Sequence, residues 1–302
     1  MTTIGVVGLG AMGGRIAGRL LAQGNAVRGT NRTRAKADAL IAQGLVWCHN
    51  PRTTAQSSDI VISMVTDGDA LDTVTQGLDG ILAGLAPGSI YLDMSTVSPH
   101  TSRTLAEQVT SRGAAMLSAP VSGSVQAVEE GTLTIIVGGQ ADAFERVKPI
   151  LRQLGSTMTF VGDTDHALLL KLAINISLAV QMLAFSEGLL LAEQGGVDRS
   201  VALQVMTHSA VGSPMLQARA ALLRELPDSA WFDVAMMQKD LRLALDYGRD
   251  QGLPMPSTTV ADQILSTARE AGYEHRDIAV VFRVLSELVA VPLAGMPGSV
   301  TV

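Results

Sequence analysis

A glycine pattern near the start of the chain most constrains what it can fold into. Ile4 to Val7 is a short apolar run of the kind a buried parallel strand shows, and Gly8-Leu9-Gly10-Ala11-Met12-Gly13 follows at once. Arg15 to Gln23 then reads as a helix ended by Gly24, and Val27 opens a second strand that closes near Asn31. In a strand, GxGxxG, helix, strand order each glycine has a task. The first permits the tight turn, the second lets backbone approach a pyrophosphate, and the third lets helix and strand pack closely. The helix N-terminus then faces the phosphates. A lone GxGxxG is weak evidence, and an incidental Gly-rich turn is the plain alternative. Both strands and the helix stand in register here, which favours dinucleotide binding.

The end of the second strand bears on which dinucleotide. A fold that takes NAD usually places Asp or Glu there, about 20 residues on, to hold the ribose 2′-OH. This chain has Asn31-Arg32-Thr33, with Lys36 close behind. Arg32 can meet a 2′-phosphate with charge-assisted hydrogen bonds. The pattern predicts NADP (NADPH) as the preferred cofactor, with NAD as the second choice. The plainer reading is a solvated basic turn at the start of a helix.

Strand and helix signals keep alternating. Asp59 to Val65, Ser89 to Met94, Ala114 to Leu117, Leu133 to Val137 and Phe160-Val161 read as further strands. Repeated βα units predict an α/β Rossmann domain with a doubly wound, mainly parallel sheet. Ligands in such sheets sit beyond the carboxyl ends of the strands, where Thr66-Asp67 and Ser95-Thr96 fall. Either pair also suits an ordinary turn or cap, and Ser98 with Pro99 suits the start of a helix.

After Asp163 the strand signal stops. His166 to Gln194 holds no Pro and no Gly except Gly188, and reads as one helix of roughly 29 residues, over 40 Å long at about 1.5 Å per residue. It is apolar nearly all round, which predicts burial between other elements. Lys171, Asn175, Gln181 and Glu187 interrupt the run, which argues against a membrane span. Further helices are expected at Arg199 to Ser209, Met215 to Glu225, Val234 to Gln251, Thr258 to Ala271 and Ile278 to Val289. The predicted organisation is a Rossmann domain over 1–163, an all-α domain over 164–291 entered through the long interdomain helix, and a loose tail over 292–302.

Composition excludes several classes. The net charge of −6 is spread along the chain and argues against nucleic acid as a partner. The single Cys48 rules out an internal disulfide and fits a reducing compartment. No signal peptide is visible, so the cytoplasm is the expected location, with no membrane partner. The five His are scattered and no His/Cys cluster has metal-ligand spacing, so no metal is expected. The apolar helical half suggests a homodimer or homotetramer.

Two further stretches carry the expected chemistry. Lys171 and Asn175 stand i, i+4, one turn apart on one helix face. A buried Lys is expensive without partners, and a structural Lys satisfied by Asn175 and carbonyls is one reading. The other is an acid/base of lowered pKa at an apolar junction, with Asn175 holding the same substrate oxygen or orienting the Lys. Ser118 to Ser124 is small, polar and turn-prone after a strand, and its backbone N–H groups suit a carboxylate.

These motifs together resemble the β-hydroxyacid dehydrogenase family, which includes 3-hydroxyisobutyrate dehydrogenase, tartronate semialdehyde reductase and glyoxylate/succinic semialdehyde reductases. The resemblance covers roughly residues 3 to 290 and rests on GLGAMG at Gly8 to Gly13, NRT at Asn31 to Thr33 and STVSP at Ser95 to Pro99. It rests also on APVSGS at Ala119 to Ser124, GTLT at Gly131 to Thr134, Lys171 with Asn175, and KDLRLA at Lys239 to Ala244. It implies an enzyme interconverting a small hydroxy acid and its semialdehyde. Lys171 looks like the catalytic acid/base and Asn175 like its assistant at the substrate. Ser122 and Gly123 match the carboxylate loop. Thr96 and Lys239 match positions near the nicotinamide, and Met64 and Val65 the strand end beneath the cofactor. Two departures from the family pattern, at three positions, stand out. Asp165 and Ala167 replace the glycines of GxGxxxK, and Ile174 replaces the first of two Asn. The first change is expected to place bulk and charge near the helix start, close to where nicotinamide and substrate should meet. Imine reductases share the fold and the NRT signature but typically replace the Lys and lack APVSG, so they rank second. A non-catalytic dinucleotide-binding protein ranks third.

Overall fold

The computed structural model describes residues 2–290. The tail expected over 292–302 lies outside the described residues. Nine strands form one sheet: β1 (Thr3–Val7), β2 (Ala26–Thr30), β3 (Val46–Trp47), β4 (Ile60–Ser63), β5 (Ile90–Asp93), β6 (Ala115–Ser118), β7 (Val121–Ser122), β8 (Thr134–Gly139) and β9 (Thr157–Phe160). Their order is β3-β2-β1-β4-β5-β6-β8-β7, with β9 paired to β8. Strands β1 to β6 run parallel to their sheet neighbours among themselves, β8 is antiparallel to β6 and β7, and β9 is parallel to β8. The sheet is mainly parallel, as the βα alternation predicts. The two-residue strands β3 and β7 are too short to show a period in the sequence.

Side chains alternate between two cores. Ile60, Ile62, Ile90 and Leu92 join Ile4 and Val6 on one face. Val61 and Tyr91 join Val7, Leu71 and Ile81 on the other. Both faces are covered, which is why the strands read as continuous apolar runs. The neighbours of β1 are β2 on one side and β4 on the other. The winding reverses there, and in sheets of this kind ligands bind beyond the carboxyl ends of the strands that flank such a reversal.

The chain divides into two compact units, Met1–Ile174 and a second that begins at Asn175. The sequence places the change near residue 163, where strand signals stop. The structure divides instead within the long helix, Thr164–Gln194. The early turns belong to the first unit, because Leu168 is fully buried in its core. Ala179, Met182, Leu183, Phe185 and Leu189 belong to the core of the second. The helix is not buried all round: Leu170 is 46% exposed and Leu191 76%. Lys171, Asn175, Gln181 and Glu187 also do not take it outside the range of a span, since by length and composition alone it could cross a membrane. Its division between two packed cores is that of a core helix.

The second unit is helical, with Arg199–His208, Pro214–Arg219, Val234–Asp250, Pro256–Glu270 and Val281–Ala290. Asp198, Ser213 and Asp233 cap three of these helices by accepting backbone N–H bonds. Each such cap typically contributes about 1 kcal/mol. The expected helix over Met215 to Glu225 tightens into a 3-10 turn at Ala220–Leu223, and that over Ile278 to Val289 begins as one at Ile278–Val280.

Candidate active site

The glycine turn between β1 and the helix Ala11–Ala22 is shaped for a ligand. Gly8 has φ +94°, and a Cβ there would lie 2.3 Å from the Met64 carbonyl oxygen. A Cβ at Gly13 would lie 1.9 Å from the Gly8 carbonyl oxygen. At Gly10 a Cβ would meet nothing within 4 Å. Two glycines are thus demanded by close packing, and the middle one opens onto free space where a pyrophosphate can approach. Gly10 leads the helix without a side-chain cap, and the first turn carries no acid. Its N–H groups are therefore unopposed by a carboxylate and suit an anion.

Asn31 ties this turn to the end of β2. Its Oδ1 accepts the Leu9 N–H at 3.1 Å, and its Nδ2 donates to the Thr33 carbonyl at 2.9 Å. Arg32 is exposed beside it. Asn31 therefore both omits the anion a ribose-binding acid would supply and braces the segment that carries Arg32.

Beyond β4 and β5, Met64, Val65 and Thr96 are half-buried. Asp67 caps the helix Gly68–Thr75 through the Ala70 N–H at 2.8 Å, and Ser98 caps Pro99–Thr110 through the Thr101 N–H at 3.0 Å. Of the two polar pairs, Thr66-Asp67 is accounted for as a cap. Ser95 is not: its hydroxyl accepts the Val65 N–H at 3.0 Å and joins the two strand ends.

The expected long loop after β6 is more structured than its composition suggests. Val121–Ser122 is a strand paired to β8, and Ser124 caps the helix Val125–Glu130. The Ser122 hydroxyl is half-buried and makes no hydrogen bond among the described residues. Gly123 has φ +143°, and a Cβ there would stand 2.8 Å from Leu133 Cδ2 and 3.1 Å from the Ala127 Cβ. Its missing side chain points at the fold.

Lys171 is half-buried in the first unit, and Asn175, 2% exposed, opens the second one turn later on the same helix. Asn175 Nδ2 donates to Asp240 Oδ2 at 2.5 Å. Lys239 forms an ion pair with the same carboxylate at 2.9 Å, and Asp240 is itself 2% exposed. The amide orientation of Asn175 is therefore set by Asp240, a residue the sequence reading quotes only within KDLRLA. The available signal was an acid on the packed side of that helix.

The charge at Asp165 has a partner. Arg103, from the helix Pro99–Thr110, forms an ion pair with it. Burial pushes the Asp165 carboxyl up, but the Arg103 hydrogen bond and charge, with His166, outweigh it and hold its pKa below the ordinary value. Asp163, Asp165 and His166 bring possible ligand atoms within 4.8 Å of one another. The bond from Arg103 already engages Asp165, which weighs against a cation there.

Residues 3–162 match the family described as the NAD binding domain of 6-phosphogluconate dehydrogenase. Residues 166–285 match that described as NAD-binding of NADP-dependent 3-hydroxyisobutyrate dehydrogenase. The chain is 32% identical to 2-(hydroxymethyl)glutarate dehydrogenase of Eubacterium barkeri over 97% of either chain. The chain belongs to the β-hydroxyacid dehydrogenase family. It is also 32% identical to glyoxylate/succinic semialdehyde reductase 1 of Arabidopsis thaliana, over 92% of this chain and 96% of that one. The solved structure of Mycobacterium tuberculosis 3-hydroxyisobutyrate dehydrogenase with L-serine has a TM-score of 0.85 at 27% identity, covering 94% of this chain and 99% of that one. Members of this family are oxidoreductases acting on CH–OH groups with a nicotinamide dinucleotide, and the glycine turn here fits that cofactor.

Proposed function

We propose that this chain is an NADPH-dependent reductase that interconverts a small β-hydroxy acid and its semialdehyde, with Lys171 as acid/base. The observation that carries the reading is a half-buried Lys171 in the same unit as a glycine turn with open space at Gly10. Arg32 would hold the 2′-phosphate, and Gly8 to Gly13 the pyrophosphate. NADPH, when bound, supplies a hydride to the carbonyl carbon. Lys171, as a cation, stabilises the negative charge that develops on the carbonyl oxygen and delivers the proton. In oxidation the neutral amine accepts that proton. Asn175, oriented by Asp240, holds the oxygen or the Lys. Ser122 and the backbone N–H groups around Gly123 receive the substrate carboxylate. Thr96 and Lys239 take part near the nicotinamide. The protein works in the cytoplasm as a homodimer or homotetramer.

The test is loss of NADPH absorbance against a panel of semialdehyde acids, neutral aldehydes and cyclic imines. Semialdehyde acids should turn over fastest. A preference for imines would place the chain with the imine reductases. Turnover of none would favour a non-catalytic dinucleotide-binding protein.

A further inference from the structure

Strands β4 and β5 both end an apolar run on a polar residue, IVIS and IYLD. Ser63 and Asp93 are register partners in this parallel pair, so their side chains leave the same face. Ser63 and Tyr91 are fully buried, and Asp93 and Ser95 are each 1% exposed. A buried polar group must be hydrogen-bonded to be tolerated, and these bond to one another. Ser63 Oγ donates to Asp93 Oδ1 at 2.7 Å. The Ser63 proton being used there, the Tyr91 hydroxyl donates to Ser63 Oγ, also at 2.7 Å. Burial and the charge of Asp93 push the Tyr91 phenol well above its ordinary range, which keeps it a neutral donor. Asp93 Oδ1 also accepts the Ser95 N–H at 3.1 Å. Ser95 Oγ in turn accepts the Val65 N–H at 3.0 Å.

The chain of bonds therefore runs from the sheet interior to two segments at the strand ends, Met64-Val65 and Ser95-Thr96. Met64 also presses its carbonyl against Gly8, so the same segment backs the glycine turn. The nucleotide's other anchor, Arg32 at the end of β2, is braced separately by Asn31. We infer that Asp93 is a positioning residue: by fixing Ser95 against Val65 it sets the spacing of two segments that, on the reading above, lie beneath the cofactor (Met64-Val65) and beside its nicotinamide (Ser95-Thr96). It touches neither substrate nor cofactor in this account. The inference rests on the dinucleotide reading above.

The two halves of the cofactor separate this role from a general structural one. The purified full chain is titrated with NADPH and, separately, with adenosine 2′,5′-bisphosphate, which carries the 2′-phosphate but no nicotinamide. Asp93→Ala leaves two buried donors unmet. It should weaken NADPH binding at least ~10-fold while adenosine 2′,5′-bisphosphate binds within about three-fold of the parent. Asp93→Asn keeps a carbonyl oxygen for Ser63 and Ser95 and should restore most of the NADPH affinity. Should Asp93→Ala not fold, Ser95→Ala breaks the bond to Val65 alone and should give the same selective loss. Equal weakening of both ligands in a folded variant, or NADPH binding unchanged in both alanine variants, would overturn the inference. Failure of the parent to bind either ligand would instead overturn the cofactor reading beneath it.

Discussion

At the scale of single residues, Arg32 and Asn175 carry separable roles. Arg32 is exposed at the end of β2 with no acid in the Asn31-Arg32-Thr33 run. A charge-assisted bond to a phosphate typically contributes about 1.5–3 kcal/mol, or roughly 10- to 100-fold. Arg32→Ala should raise the NADPH Michaelis constant by that order and leave the NADH constant nearly unchanged. Equal effects on both would sink the assignment. Asn175 illustrates what the sequence cannot show. Its spacing from Lys171 is legible because four residues make one helical turn. Its bond to Asp240 is not, because the partner lies 65 positions away on another helix. Asp93 escapes notice for the same reason, since Ser63 lies 30 positions before it. Asp165 looks like an unanswered charge in the sequence because Arg103 lies 62 positions before it.

At the scale of elements, the legible parts are those whose signal is local. The glycine turn, the apolar runs of β1, β4 and β5, and the Ser98-Pro99 helix start each declare themselves within a few residues. The Ser118 to Ser124 stretch does not, because its pairing to β8 comes from outside it. Nor could composition say which way the missing side chain of Gly123 points. A valine at Gly123 would add bulk to the proposed carboxylate loop. The structure adds a cost of its own to any side chain there: positive φ together with Leu133 and Ala127 close by. Strain of this kind is typically about 1–3 kcal/mol. Gly123→Ala, with its smaller side chain, should therefore already lower both the melting temperature and substrate affinity, while NADPH affinity stays close to the parent. A variant as stable as the parent would contradict the strained-backbone account.

At the scale of the molecule, the helical unit leaves apolar side chains uncovered. Val201 and Val205, one turn apart on the helix Arg199–His208, are 51% and 63% exposed, and Val211 is 68% exposed. Val201 and Val205, as neighbours on one helix face, are a candidate contact for the proposed oligomer. Val205→Glu should shift the proposed homodimer or homotetramer toward monomer in light scattering. A parent that is monomeric at micromolar concentration would refute the oligomer. The whole reading converges on Lys171, and one pair of variants tests it most directly. Positioned acid–base groups contribute about 10²–10⁴-fold. Lys171→Ala and Lys171→Met, measured by steady-state kinetics and NADPH titration, should each lose turnover at least ~10²-fold with cofactor affinity nearly unchanged. Lys171→Met keeps the apolar stem and should be the better folded of the two. Turnover within a few-fold of the parent would contradict the account and return Lys171 to a structural role.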